Sequence, residues 1–185
     1  MSIDDYNDKL AAILNDALDN VEGFLSPFLE NCESPIEKLF LHAVWANGVW
    51  NGFVEFVVPC GFEFFLDGIE VDKAHFAQQI EISGYRVDFL FAISRANGEP
   101  PFVVAVECDG HDFHEKTKEQ AARDKKRDRT LNDAGVIVYR FSGSEIWADA
   151  GDCAKQIIVK LWDENRKSWE RNRARSLDME ERMNA

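Results

Sequence analysis

The chain has 185 residues, 45% of them hydrophobic and 30% charged, with a formal net charge of −13. That length suits one domain with a full core, and the balance excludes a disordered chain. No apolar run approaches the ~20 residues that span a bilayer, and Met1-Ser2-Ile3-Asp4-Asp5 lacks the basic-then-apolar pattern of a signal peptide.

Helical spacing of Ile3, Tyr6, Leu10, Ile13, Leu14, Ala17 and Leu18 predicts a first helix over 3–20 on an acidic background, followed by a short one over Glu22–Leu29. Ser34-Pro35-Ile36-Glu37 is a helix start, with serine as N-cap, proline in the first turn and glutamate three after the cap. Ile36, Leu39, Phe40, Ala43 and Val44 then form one apolar stripe ending near Asn47-Gly48. Phe53–Val58 is a predicted strand, and 61–73 reads as a hairpin or insertion turning at Asp67-Gly68.

Ala77–Ile82 and Tyr85–Ile93 read as adjacent strands joined at Ser83-Gly84. Phe102–Cys108 is nearly all apolar, as a central strand covered on both faces should be. A charged helix over Lys116–Ala134 leads to a strand over Val136–Phe141, a helical turn at Ser144–Trp147 and a long helix from Gly151. The arginine-rich end of that last helix is expected to be exposed.

The net charge speaks against a polyanion partner, because phosphate contacts need cations. Its distribution changes that reading. Residues 1–82 carry −12, the rest only −1, and residues 115–129 carry a local +3. Polyanion binding is therefore expected to be local and salt-sensitive. The four cysteines (Cys32, Cys60, Cys108, Cys153) have no paired metal-ligand spacing, and a reduced cytoplasm is their simplest home.

Asp88 and Glu107 are carboxylates in apolar strand runs, where an ionised group needs a partner or a metal. Two acidic strand residues brought together suit a small hard divalent cation, which in turn suits phosphodiester cleavage. Each residue has a plainer reading. Asp88 can pair with Arg86, Glu37 can complete a capping box, and Asp109-Gly110 can be a turn. His111 and His114 can be solvated loop residues or a general base. Arg123–Arg129 can be a solvated helix laced with ion pairs, with Asp124 bracing Arg127. Arg140, ending a buried strand, needs either a structural carboxylate or a phosphate.

Taken in order, Ser34–Leu39 with Glu37, Gln79 and Ile82, Tyr85–Phe89 with Asp88, Val106-Glu107-Cys108-Asp109-Gly110, His114, Arg123–Asp128, Gly135, Arg140-Phe141 and Glu145-Ile146 resemble the PD-(D/E)xK nuclease superfamily. The nearest likeness is to the branch related to very-short-patch-repair endonucleases, over roughly residues 34–148. One departure stands out: the superfamily's usual lysine, two after the glutamate, is Asp109 here, and the related branch lacks that lysine too.

The resemblance implies an α/β restriction-endonuclease-like fold, a mixed central β-sheet flanked by α-helices. Residues 1–33 would form an N-terminal helical extension, 34–148 the endonuclease-like domain, and 149–185 a long C-terminal helix packing on it. It implies Mg²⁺, with Mn²⁺ able to substitute, held by Asp88, Glu107, Glu37 and the Cys108 carbonyl. His114 or Asp109 would orient or deprotonate the attacking water. Lys125, Lys126, Arg127, Arg129 and Arg140 would meet nucleic acid, expected to be DNA. A homodimer or a protein partner stays open, a membrane does not. Two rival readings remain: a nuclease-fold module that binds nucleic acid or protein without cutting, and a structural domain whose carboxylates only pair with arginines.

Overall fold

The computed structural model describes residues 3–49, 52–56, 62–67, 69, 73–95, 98–110 and 118–183. The chain divides into two compact units, 1–33 and 34–185. In the first, a single helix α1 (Ile3–Leu29) replaces the two predicted ones, with Pro27 accommodated in its last turn.

The second unit is built on a hairpin. Strands β2 (Ala74–Ile82) and β3 (Tyr85–Ile93) are joined by Ser83 and Gly84, both left-handed, with φ of 51° and 81°. Left-handed backbone at both central positions matches the twist of the flanking strands. β1 (Val54–Phe56) pairs parallel to β2, β4 (Phe102–Asp109) antiparallel to β3, and β5 (Val136–Ser142) parallel to β4. The result is a mixed five-stranded sheet in the order β1-β2-β3-β4-β5.

Helices cover both faces. On one, Phe40 of α2 (Pro35–Val44) packs against Phe89 and Phe141, and α2 also packs against the long helix α5 (Gly143–Met183). On the other, Ala77, Ile80, Ile82, Val87, Leu90, Ala92, Val103 and Ala105 form a buried cluster. Phe65 of α3 (Phe62–Asp67), Leu131 of α4 (Lys118–Asp133) and Val136 complete it. This is an α/β restriction-endonuclease-like architecture, with the C-terminal helix running along the sheet.

Two local expectations change. Residues 62–67 are helical rather than a hairpin arm, because Phe62, Phe65 and Leu66 recur at helical spacing and pack on the cluster. A π-helical turn, Trp45–Val49, extends α2. The turn at 144–147 and the helix from 151 are, as expected, separate segments of α5, divided at the non-helical Asp149 (φ −158°, ψ 82°), whose Oδ1 accepts the Asp152 N–H at 2.8 Å. That bond caps the second segment. Among the described residues no helix is long and apolar enough to cross a membrane.

Candidate active site

The carboxyl ends of β4 and β5 lie side by side, with Glu107 opposite Arg140 and Asp109 opposite Ser142. From the neighbouring β3, Asp88 Oδ2 accepts the Cys108 backbone N–H at 2.8 Å. Apolar residues on both sides make these strands central, so the carboxylates they carry are drawn out of water. Glu107 is 4% exposed and Asp88 half-buried.

That burial, reinforced by the Asp88 charge, pushes the Glu107 carboxyl up to about 7 despite Arg127 and Arg140 nearby. Burial also raises Asp88, and the Glu37 and Asp109 charges add to the rise, against the lowering by the Cys108 N–H and Arg127. Two carboxyls in one another's field are thus each shifted toward protonation, and the arginines beside them offset that shift only in part.

Glu37 comes to this place from the first turn of α2 and is buried. Its Oε1 accepts the Ser34 hydroxyl at 2.7 Å, while Ser34 Oγ accepts the Glu37 N–H at 3.2 Å. Its Oε2 accepts from Gln79 Nε2 at 3.3 Å. One oxygen therefore belongs to the helix cap and the other faces β2, so the side chain serves two elements at once.

Helix α4 and strand β5 supply the cations. Arg127 Nη2 donates to both Glu107 Oε1 and the Arg86 carbonyl. Arg140 Nη2 donates to Asp128 Oδ1 at 2.8 Å and its Nη1 to Asp109 Oδ1 at 3.4 Å. Arg140 thus meets the structural carboxylate that its place in a buried strand requires. Lys125, Lys126 and Arg129 are exposed on α4. His111, His114 and Lys116 lie outside the described residues.

Asp88, Glu107, Cys108, Asp109, Glu37, Arg127 and Arg140 are thereby brought together, and Lys125, Lys126 and Arg129 stand on the helix beside them. Sequence reasoning missed Asp128 as the partner of Arg140. It also took Gln79 only as a point of likeness, with no part in the site. A buried strand-end arginine signals that some carboxylate must meet it, but only the pitch of α4 selects Asp128.

Mg²⁺ takes oxygen donors and keeps several waters, so one or two carboxylates suffice to hold it. Asp88 and Glu107 are such donors, and their bonds to Cys108 and Arg127 engage one oxygen of each. No group of three Asp, Glu, His or Cys side chains among the described residues forms a closed cage. The described residues fit a hydrated hard cation seated on two carboxylates.

No curated protein and no solved structure matches the chain. A model of the REase_MTES_1575 family does match, over residues 63–161, a span that includes Gln79, Asp88, Glu107, Asp109, Arg127 and Arg140 and leaves out Glu37. That span is more than half of the chain, and with this sheet and these carboxylates the chain belongs to that restriction-endonuclease-like family.

Proposed function

We propose that this protein is a metal-dependent endonuclease that hydrolyses phosphodiester bonds in DNA, within the branch related to very-short-patch-repair enzymes. The observation that carries the reading is the pair Asp88 and Glu107, buried together and both shifted toward protonation. Such a pair gains most from a divalent cation.

Asp88 and Glu107 would hold Mg²⁺ or Mn²⁺, with Glu37 and the Cys108 carbonyl as further oxygen donors. In an extended strand a residue's N–H and C=O face the same neighbour. The Cys108 N–H bond to Asp88 therefore supports a carbonyl on that side. Once bound, the ion polarises a phosphate oxygen and lowers the pKa of a coordinated water. His114 or Asp109 would orient that water and accept its proton. Arg127, engaged with Glu107 in the free protein, would turn to the phosphate once a cation neutralises the carboxylate. Lys125, Lys126 and Arg129 would hold flanking phosphates.

The test is a cleavage assay on plasmid, linear and single-stranded DNA and on RNA, with Mg²⁺, Mn²⁺ or EDTA, beside Glu107→Ala. Metal-dependent cutting of DNA absent from the variant is expected. Equal cutting by the variant overturns the site.

A second reading has one observation in its favour. The position of the superfamily lysine is held by Asp109, which is tied to Arg140. The domain would then bind nucleic acid or a protein without cutting, and binding would survive EDTA and Glu107→Ala.

A further inference from the structure

Gln79 breaks the regularity of β2. It is a non-glycine residue with φ of 54° in the interior of a nine-residue strand. Left-handed backbone at such a residue is strained and persists where the surroundings over-determine it.

The ladder is interrupted at the same point. Gln78 pairs with Phe89 and Ile80 with Val87, and Gln79 lies between them, across from Asp88. The buried cluster takes Ala77 and then Ile80 from β2, and Val87 and then Leu90 from β3. These are steps of three where a pleated strand alternates by two. The strain therefore puts both strands out of phase at one place, the place of the candidate metal-binding aspartate.

What the strain achieves lies in the side chain. Gln79 Nε2 donates to Glu37 Oε2 at 3.3 Å. That carboxylate sets the orientation of the amide, since a flipped amide would oppose oxygen to oxygen. The Gln79 Oε1 that results is buried with no hydrogen-bond partner among the described residues. A buried amide oxygen left unpaired is costly and is an acceptor for a donor that arrives later.

We propose that Gln79 is a positioning residue of the metal site, its amide N–H holding Glu37 and its orphan oxygen accepting a hydrogen from a water carried in by the cation. The proposal rests on the nuclease reading above. It accounts for three features together: the left-handed backbone, the bond to Glu37 and the unpaired oxygen. A residue kept only for packing would need none of them.

The experiment uses the full chain and Gln79→Gly, with Gln79→Asn as a second variant. Both residues tolerate positive φ, and neither reaches Glu37 with an amide at the same distance. Thermal unfolding in EDTA is measured first, then Mn²⁺ affinity by calorimetry, then kcat and KM on the best DNA substrate. The expected result for the glycine variant is an equal or higher Tm, Mn²⁺ affinity weaker by about 10-fold, a lower kcat and an unchanged KM. If Gln79→Gly does not fold, the asparagine variant is expected to give the same loss of Mn²⁺ affinity.

Parent-like Mn²⁺ affinity and kcat in a folded variant overturn the proposal and leave the nuclease reading standing. A parent protein that neither binds Mn²⁺ nor cleaves overturns both.

Discussion

Cys108 and Asp88 are joined by a backbone N–H to carboxylate hydrogen bond of 2.8 Å that crosses from β4 to β3. It continues the strand pairing beyond Phe89 and Val106, the last pair of the ladder at that end. The bond fixes one oxygen of Asp88 beside Glu107, and from this contact the site's behaviour follows.

Neutralising Asp88 should cost activity and not stability. Asp88→Asn keeps an oxygen for the Cys108 N–H while removing a charge that burial disfavours. The expected outcome is cleavage reduced to background with Tm unchanged or higher, checked by thermal unfolding in EDTA beside the cleavage assay. A large fall in Tm would point to a structural carboxylate.

The metal-free protein should lose stability as pH rises from about 4.5 toward about 7, because Glu107 keeps its proton in the folded state through that window while an unfolded glutamate has lost it. Asp88 adds in the same direction. Mn²⁺ affinity should climb over the same window, with proton release on binding. Unfolding midpoints across pH in EDTA, for the parent and for Glu107→Gln, are the check, and the variant's profile should be flatter.

Removing Arg127 should destabilise the free protein. Its guanidinium is the cation on Glu107 Oε1 and also holds the Arg86 carbonyl. Arg127→Ala is expected to cost roughly 1–3 kcal/mol, less than for a fully buried pair because the arginine is 23% exposed. Urea unfolding gives the loss, and saturating Mn²⁺ should recover part of it. Arg127→Lys should fall between, since one ammonium cannot match the fork.

Arg140 should couple more strongly to Asp128 than to Asp109, at 2.8 Å against 3.4 Å. Double-mutant cycles with Arg140→Ala should give about 1 kcal/mol for the first pair and less for the second. The opposite order would mean that Asp109 is the anchor of Arg140.

Charge reversal on α4 tests the nucleic-acid face. Lys125→Glu and Lys126→Glu change exposed residues and should leave Tm within a degree or two, about 0.5 kcal/mol at most. Each should weaken DNA binding uniformly across sequences and reduce the salt slope by roughly one. Fluorescence anisotropy at several salt concentrations measures both.

The parts of this molecule that local pattern dictates were legible in advance. Tyr85–Ile93 has the predicted bounds, because an apolar strand pattern follows a Ser-Gly turn whose chemistry leaves little choice. The start of α2 is equally plain from Ser34-Pro35, and Ser34 does cap it. Short apolar runs were ambiguous: Phe62–Asp67 suits helix or strand until Phe65 is seen on the core cluster. The candidate carboxylates stood out as charges in apolar runs. Their counter-ions did not, since Arg127 on Glu107 and Asp128 on Arg140 depend on how α4 lies across β4 and β5. The left-handed Gln79 has no local signal, because nothing in Ala77–Ile82 calls for positive φ.

The most direct test of the account is a calorimetric titration of Mn²⁺ into the full chain at pH 8, beside Asp88→Asn and Glu107→Gln. One ion bound per chain is expected, with binding lost in both variants while each stays folded. Binding of equal strength in folded Asp88→Asn and Glu107→Gln proteins would contradict it.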